Sequence, residues 1–398
     1  MTAARPCSLQ QQLEHCRHSR LRILIAGAGM AGLTLAALLH RQGLYPVVIE
    51  QQADLQQGGY MLGLLPLGGN VLHGLDLHRD YLASSQSMRH YQFCDQYGRC
   101  RQRYPLHRLT EQYGAYQGIT RGRLAQLLAS RLPAGAIAFD TRINNLENGE
   151  SRAHVHFSDG LQADFDLVVA ADGLHSSIRK LILRPDEYRY HDTGWGGWVS
   201  WVEPASQAAD TYTEAFGPGF MAGLYPVSNG LGGFLAGPRK RLERQGRATF
   251  LAQLGSLSQT PAFAALLRAC REDSAPFFWS LHDCRCRHWY RGRVALLGDA
   301  AMGFLPTAGV GASMAMAAAA TLNDELTRCD RHTLPQALRH YQHRQEPASR
   351  AAQNNSRQLA RLMTIESRAL SWLRNQLIRF YSLDRALHDI GQVMETRA

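Results

Sequence analysis

Short, continuously apolar runs alternate with helix-like stretches from residue 21 onward. Residues 21–26 are apolar except for Arg22, which is typical of a strand buried on both faces. Residues 31–42 have a helix-forming composition, Gly43 suits the C-terminal cap, and residues 45–49 form a second apolar run. This order predicts a β-α-β unit in which the two strands are parallel.

Two later apolar runs, at residues 165–170 and 293–297, each end in a turn that contains Asp and Gly. Between them, residues 186–284 change to short β-prone runs broken by Gly and Pro, which indicates a separate antiparallel sheet. Residues 59–117 also lack the texture of a parallel sheet, and we assign them to the same second unit. The last 45 or so residues favour helices with apolar positions on one side: Leu359, Leu362, Met363, Leu370, Leu373, Leu377 and Phe380.

These patterns predict an α/β protein with two interleaved units. A Rossmann-type dinucleotide-binding domain would comprise residues 21–58, 118–185 and 285–350. An antiparallel β-sheet substrate domain would comprise residues 59–117 and 186–284. Residues 1–20 are expected to form a loose tail, and residues 351–398 a helical segment that packs on the first domain or contacts a membrane surface weakly.

Composition narrows the class of protein. The 398 residues are 45% hydrophobic and 19% charged, which is enough to bury sizeable cores. The net charge is +10, but the sequence contains no basic run interleaved with aromatic residues, so nucleic acid is not an expected partner. There is no apolar signal segment, no run of eighteen apolar residues, and no framework spacing among the eight cysteines. We therefore expect a cytoplasmic protein with reduced thiols.

The glycine motif GAGMAG directly follows the first predicted strand. Gly27 suits a tight turn, Gly29 lets the backbone approach a pyrophosphate, and Gly32 lets the helix pack closely on the strand. The helix N-terminus would then hold phosphate groups. Glu50 ends the second strand, where a carboxylate can accept hydrogen bonds from a ribose. The unit predicts dinucleotide binding without separating NAD from FAD.

Two later motifs distinguish FAD from NAD. Asp172 and Gly173 begin ADGLHSSIR, which also contains Arg179, and Gly298 with Asp299 begins GDAA, which leads to Pro306, Gly309 and Gly311. The three motifs in this order resemble the class A flavoprotein monooxygenases, the family of p-hydroxybenzoate hydroxylase, salicylate hydroxylase and the tetracycline-modifying monooxygenases. The resemblance covers about residues 21–330. It implies non-covalently bound FAD, with NADPH or NADH as co-substrate.

The resemblance also implies a role for each motif. Gly27, Gly29, Gly32 and Glu50 would hold the ADP half of FAD, and Arg121 in ITRGRLAQLL would contact the cofactor. Asp172 and Gly173 match the motif used for both FAD and NAD(P)H, with Arg179 supporting the turn. Asp299, after Gly298, would bind ribityl or ribose hydroxyls. The segment from Pro306 through Gly309 to Gly311 would wrap the isoalloxazine at the start of a helix. Met302 and Ser313 depart from the histidine and asparagine of many members.

The activity implied by the resemblance is oxygen insertion into an aromatic, quinone-like or polyketide-like molecule. In the family, NAD(P)H reduces FAD, and O2 then forms a C4a-hydroperoxide that delivers one oxygen atom. The catalytic residues stay unknown, and we name no side chain as a base, because the cofactor carries the hard step and the protein need supply little acid-base chemistry. A dehydrogenase, reductase or halogenase of the same fold, or a redox-silent FAD protein that binds an unstable intermediate, are the alternatives.

Two further clusters invite a functional interpretation. Trp195, Trp198 and Trp201 could line a flat substrate pocket, although core positions are an equal alternative. The alternation of His282, Cys284, Cys286 and His288 looks like a metal site. Four ligands in one extended run lie too far apart to close a tetrahedron, so we expect no metal. The sequence leaves the oligomeric state open.

Overall fold

A computed structural model describes residues 9–55, 59–107, 110–111, 114–203 and 207–377. Its helices are Leu9–Cys16, Met30–Arg41, Pro66–Gly74, His78–Ala83, Arg121–Ala129, Ser177–Ile182, Arg239–Gln253, Pro261–Glu272, Gly311–Thr327, Leu334–Met363 and Arg368–Leu377. Within these ranges, no helix is both long and apolar enough to cross a membrane.

A six-stranded sheet forms the centre of the first unit. Its spatial order is Tyr290–Arg291, Val294–Leu296, Leu167–Ala170, Ile23–Ala26, Val47–Ile49 and Ile137–Ala138. All neighbouring pairs are parallel except the edge strand Tyr290–Arg291, which is antiparallel. The four apolar runs predict four of these strands correctly, because strands covered on both faces need apolar residues at every position.

A seven-stranded sheet forms the second unit. Its spatial order is Phe277–Cys286, Tyr188–Val202, Gly230–Pro238, Phe220–Val227, Thr211–Gly217, His90–Cys94 and Cys100–Pro105. Thr211–Gly217 and His90–Cys94 pair in parallel, and the other pairs are antiparallel, as the sequence predicts. One face carries the helices Arg239–Gln253 and Pro261–Glu272 over a hydrophobic cluster. The other face holds a second, aromatic cluster.

Two three-stranded sheets complete the strands of the described chain. The first has the order Gln162–Phe165, Ala153–Phe157 and Ile143–Asn148, and the second has the order Met61–Leu64, Gln117–Thr120 and Gln86–Ser87. The short strands Met61–Leu64 and Gln117–Thr120 pair antiparallel and bring Tyr60 next to Arg121, whose backbone N–H donates to the Tyr60 carbonyl at 2.9 Å.

The sequence-based assignment places all of residues 59–117 in the second unit, but the structure divides them between the two units. Only the strands His90–Cys94 and Cys100–Pro105 join the seven-stranded sheet. The helix Pro66–Gly74 packs on Gly311–Thr327, and its Leu72 belongs to the same buried cluster as the six-stranded sheet. A helix that covers another helix carries no parallel-strand texture, which is why the sequence pattern is misleading here.

The N-terminal tail is the second difference. Residues 1–8 lie outside the described residues, but Leu9–Cys16 is a helix rather than a loose segment. Leu9, Gln12 and Cys16 are buried, and the Gln12 side-chain oxygen accepts a hydrogen bond from the Val48 N–H at 3.0 Å. Leu9 and Cys16 lie two helical turns apart and therefore share one face.

The C-terminal helices bury a different face from the expected one. In the helix Arg368–Leu377 the buried side chains are Ser371, Arg374 and Asn375. Most of the apolar positions grouped from the sequence are instead exposed, namely Leu362, Leu370, Leu373 and Leu377. Phe380 lies outside the described residues. Arg374 is accommodated because its guanidinium donates to the Leu362 carbonyl and to Ser371 and Asn375.

Candidate functional site

The sequence motifs meet at the carboxyl ends of the parallel strands. Ile23–Ala26 runs into Gly27, Val47–Ile49 into Glu50, Leu167–Ala170 into Ala171, and Val294–Leu296 into the turn at Gly298. In open α/β sheets this edge is where dinucleotides bind.

The glycine loop is packed too tightly for side chains at two of its three glycines. Gly27 has φ +111°, and a Cβ there would lie 2.4 Å from the Ala171 carbonyl oxygen. A Cβ at Gly32 would lie 2.0 Å from the Gly27 carbonyl oxygen. A Cβ at Gly29 would meet nothing within 4 Å. Gly29 therefore leaves open space at the N-terminus of the helix Met30–Arg41, where backbone N–H groups can hold phosphate oxygens.

Glu50 ties the second strand to this loop. One carboxylate oxygen accepts a hydrogen bond from the Ala28 N–H at 2.7 Å, and the other accepts from the Gln52 N–H at 2.9 Å. A carboxylate has lone pairs beyond these two. Glu50 lines the groove and can still accept hydrogen bonds from ribose hydroxyls.

Two adjoining cavities extend from the glycine loop. The outer groove has a volume of about 770 Å³ and is lined by Gly27, Glu50 and Asp172, among others. The inner cavity has a volume of about 280 Å³ and is lined by Asp299, Pro306 and several aromatic rings. The two share Gly29, Tyr60, Arg121, Ala171 and Gly173. The combined space has one end lined by aromatic side chains, which suits a dinucleotide that carries a ring system.

The Asp172–Gly173 turn lies where the two cavities join. Gly173 has φ +80°, and a Cβ there would meet nothing within 4 Å. One Asp172 carboxylate oxygen accepts hydrogen bonds from the Ser177 N–H at 2.8 Å and the Ile178 N–H at 3.2 Å. The other oxygen is buried and has no hydrogen-bond partner in the described chain. Such an atom has room for a donor from a bound molecule.

Arg179 holds the turns together from behind. Its guanidinium is fully buried and donates to the carbonyl oxygens of Ala300 at 2.9 Å and Leu174 at 2.6 Å. It also hydrogen-bonds the Tyr190 hydroxyl and lies 5.1 Å from the Tyr188 ring centroid. Arg179 lines neither cavity. Its hydrogen bonds connect the two turns, and the supporting role implied for Arg179 stays a prediction.

Asp299 is the carboxylate of the inner cavity. Gly298 adopts φ +61°, and its Cα packs so closely on the glycine-loop helix that a Cβ would lie 2.7 Å from the Ala31 Cβ. Burial raises the pKa of Asp299 to about 6, and the Arg179 charge partly opposes the rise. In the described chain no group donates a hydrogen bond to this carboxylate, so its oxygens are available to hydroxyl donors.

The loop from Pro306 to Gly311 closes the other side of the inner cavity. Pro306–Ala308 is a single 3-10 turn, Gly309 follows with φ +61°, and the helix Gly311–Thr327 begins against the cavity. A helix N-terminus stabilises negative charge by roughly 0.3–1 kcal/mol.

The two departures from the family pattern have structural roles. The Ser313 hydroxyl accepts a hydrogen bond from the Leu65 N–H at 3.0 Å, and Met302 is buried with its N–H donating to the Gly298 carbonyl at 2.9 Å. Neither residue lines the inner cavity.

The aromatic lining differs from the tryptophans that the sequence indicates. None of Trp195, Trp198 and Trp201 lines either cavity. Trp195 is buried in the sheet cluster, Trp198 packs on Phe250 and Phe278 over the opposite face, and Trp201 is 45% exposed. The predicted substrate role for these three is therefore not supported. The lining aromatic residues are Tyr60, Tyr116, Tyr212, Tyr225, Phe234, Trp279 and Phe304.

The histidine and cysteine alternation is divided by the end of a strand. His282, Cys284 and Cys286 lie in the strand Phe277–Cys286, and His288 lies beyond it. Cys284 and Cys286 are buried. Within the described ranges, no three His, Cys, Asp or Glu side chains come together as metal ligands.

These residues fit FAD. The open Cβ directions of Gly29 and Gly173 leave room for phosphates and ribose, and the second Asp172 oxygen lacks a donor. Arg121 lies between the cavities, with its guanidinium 6.0 Å from the Tyr60 ring centroid. Acceptors, phosphate-binding N–H groups and a flat aromatic end thus follow one another in the order of the parts of FAD.

Replacing Asp299 by alanine tests this assignment, and we expect FAD affinity to fall at least about tenfold, since hydroxyl donors lose an acceptor. The FAD-free variant should be more stable than wild type above about pH 6 by roughly 1–2 kcal/mol. The folded-state pKa of about 6 exceeds the ordinary 3.8, so wild-type stability is fully present below the ordinary value and declines as pH rises through about 6.

Urea unfolding of the FAD-free proteins across this pH range, with fluorescence titration of FAD, measures both effects. Full FAD affinity in the variant would refute the cofactor role of Asp299. If the difference in stability between the variant and wild type did not change across this pH range, the raised pKa of Asp299 would be refuted.

Comparison with known proteins supports the same family. A family model described as FAD binding domain matches residues 20–356. A 3-amino-4-hydroxybenzoate 2-monooxygenase from Streptomyces cremeus is 33% identical, covering 85% of this chain and 87% of its own length. An aurachin C monooxygenase/isomerase from Stigmatella aurantiaca is 26% identical, covering 92% and 95%.

A solved structure shares the fold. Klebsiella pneumoniae HpxO, complexed with FAD and uric acid, matches with a TM-score of 0.82 and 22% identity, covering 94% of this chain and 97% of that one. The family match, the relative at 33% identity and the shared fold agree with the three motifs. The chain therefore belongs to the family of FAD-dependent monooxygenases related to p-hydroxybenzoate hydroxylase.

Proposed function

We propose that this protein uses NADPH or NADH and O2 to hydroxylate a small aromatic, quinone-like or polyketide-like molecule. The observation that carries the proposal is the inner cavity, which is lined by seven aromatic residues, by Asp299 and by the Pro306–Gly311 loop, and which adjoins the glycine-loop groove at Gly29 and Gly173. The inner cavity of about 280 Å³ and the adjoining groove of about 770 Å³ together offer the space for FAD and a small ring compound.

FAD bound here would supply electron transfer and oxygen activation. The residues of the chain hold and orient the cofactor and the substrate. The helix beginning at Gly311 places its N–H groups against the inner cavity, where they stabilise negative charge on a reduced ring. Asp299 accepts hydroxyl donors on the other side. The proposal assigns no side chain the role of a catalytic base.

The aromatic lining excludes water from the same space. Tyr116, Phe234 and Trp279 line the cavity, and the Tyr116 hydroxyl would lie only 3.6 Å from a Cβ at Gly309. A dry cavity protects reactive oxygen species from water. Flat rings favour an aromatic substrate through stacking and edge contacts.

The test is NAD(P)H oxidation and O2 uptake by the FAD-loaded protein with a panel of aromatic compounds. The panel begins with 3-amino-4-hydroxybenzoate, the compound in the name of the relative at 33% identity. We expect at least one compound to stimulate both rates together. NAD(P)H oxidation without oxygen incorporation would favour a dehydrogenase, and the absence of both would favour a redox-silent FAD protein.

A further inference from the structure

A buried carboxylate lies directly behind the wall of the inner cavity. Glu214 is 3% exposed in the strand Thr211–Gly217 and accepts hydrogen bonds from three tyrosine hydroxyls. Tyr212 donates to Oε1 at 2.8 Å, Tyr225 donates to Oε1 at 3.1 Å, and Tyr91 donates to Oε2 at 3.0 Å. Tyr212 and Tyr225 also line the cavity, so each phenol connects the buried carboxylate to the cavity wall.

The cluster is a built feature of three neighbouring strands. Glu214 is paired with Gly223 across the sheet, and a Cβ at Gly223 would lie 2.1 Å from the Tyr225 hydroxyl oxygen. The glycine therefore leaves the space that the Tyr225 phenol fills. Tyr91 reaches the same carboxylate from the parallel strand His90–Cys94.

Glu214 has no cationic partner. In the described part of the chain, no Lys, Arg or His forms an ion pair with it. Burying an unpaired carboxylate is costly, so the three phenol hydrogen bonds supply the stabilisation that an ion pair would otherwise give. Burial raises the pKa of Glu214, and the hydrogen bonds from the three tyrosines oppose that rise.

The positions of the hydroxyl protons determine which ligand groups can hydrogen-bond to Tyr212 and Tyr225. A tyrosine hydroxyl has one proton, and an ionised carboxylate only accepts. When Glu214 is ionised, Tyr212 and Tyr225 direct their protons to it and present lone pairs to the cavity. A carboxylate or carbonyl of the ligand would meet acceptors there, with a negative charge behind them.

We propose that Glu214, Tyr212 and Tyr225 form an acceptor wall that selects an aromatic ring carrying a hydroxyl or amino donor at this end. The inference rests on the proposed function, which puts the aromatic substrate in this cavity. Tyr212 and Tyr225 touch the substrate, and Glu214 sets the direction of their protons as a positioning residue.

The test measures binding to the oxidised, FAD-loaded full chain without NAD(P)H. The change in flavin absorbance gives the dissociation constants of 2-aminophenol, which carries two donors, and of benzoate, an anion of similar size. We expect 2-aminophenol to bind at least about tenfold more tightly. Equal affinities, tighter benzoate binding, or binding of neither probe would overturn the proposal.

Glu214→Gln changes the direction in which the hydroxyl protons of Tyr212 and Tyr225 point. The amide offers N–H donors to the tyrosines, so a phenol can turn its proton toward the cavity, and we expect the preference for 2-aminophenol to fall by about tenfold. Glu272→Gln makes the same change at the exposed end of the helix Pro261–Glu272 and should leave the ratio unchanged. An unchanged ratio in Glu214→Gln would refute the role of the carboxylate.

Tyr212→Phe and Tyr225→Phe provide a second route if Glu214→Gln fails to fold. Each removes one acceptor from the wall while Glu214 keeps its other phenol donors, and we expect 2-aminophenol binding to weaken by roughly fivefold to tenfold, with benzoate binding unweakened. Equal weakening of 2-aminophenol and benzoate binding would contradict the proposed acceptor wall. Because none of these titrations requires turnover, loss of NAD(P)H oxidation would contradict the proposed function and leave the binding result standing.

Discussion

Gly29→Ala should weaken FAD binding by about tenfold to a hundredfold while leaving the FAD-free fold intact. The new methyl group meets no protein atom within 4 Å, and Gly29 has extended angles, φ −79° and ψ −173°, that alanine adopts without strain. It enters the space that the pyrophosphate needs, and such overpacking costs roughly 1–3 kcal/mol. Fluorescence titration with FAD and urea unfolding of the FAD-free protein measure the two quantities.

Gly32→Ala is the matched comparison. Its methyl group would lie 2.0 Å from the Gly27 carbonyl oxygen, so the loop must move even without cofactor. We expect both the FAD-free stability and the FAD affinity to fall, the former by roughly 2–3 kcal/mol. If Gly29→Ala bound FAD normally, or lost as much FAD-free stability as Gly32→Ala, the pyrophosphate would not lie at Gly29.

Arg179→Met should destabilise the protein by roughly 3 kcal/mol or more and lower its FAD content. The buried guanidinium donates to two carbonyl oxygens and one hydroxyl, and methionine would remove these hydrogen bonds, which are worth roughly 1.5–3 kcal/mol each when one partner is charged. FAD content should fall because Arg179 links the Asp172 turn to the Asp299 turn. Urea unfolding and the flavin-to-protein absorbance ratio measure the effects.

Arg184→Met serves as the control for this change. The Arg184 side chain is 71% exposed, its pair with Asp186 lies at the surface, and the buried Glu187 keeps Arg291 as an ion partner, so we expect a change within about 0.5 kcal/mol. Equal urea midpoints for Arg179→Met and wild type, with full FAD content, would show that Arg179 does not hold the two turns.

The sequence predicts the parallel sheet well because its signals are local. Four apolar runs become strands, and the glycine motif and Glu50 lie where a β-α-β unit places them. The helix Leu9–Cys16 is missed because its buried face consists of only Leu9, Gln12 and Cys16. The pairing of His90–Cys94 with Thr211–Gly217 joins segments more than a hundred residues apart, which no local pattern reveals.

The same reasoning explains which site residues could be predicted. Asp172, Asp299 and the Pro306–Gly311 loop follow strands in short motifs, and they line the two cavities together. The tryptophans are misleading because a strand alone does not show which face meets the cavity. Tyr212 and Glu214 alternate within one strand, a signal of a shared polar face, but their partners Tyr91 and Tyr225 come from other strands.

Oxygen incorporation tests the central claim most directly. The FAD-loaded protein is supplied with NADPH or NADH, the aromatic panel and oxygen-18-labelled O2, and the products are analysed by mass spectrometry. The account predicts an aromatic product that contains one labelled oxygen atom for each NAD(P)H consumed. Consumption of NAD(P)H with all labelled oxygen recovered as hydrogen peroxide, and none in any aromatic product, would contradict it.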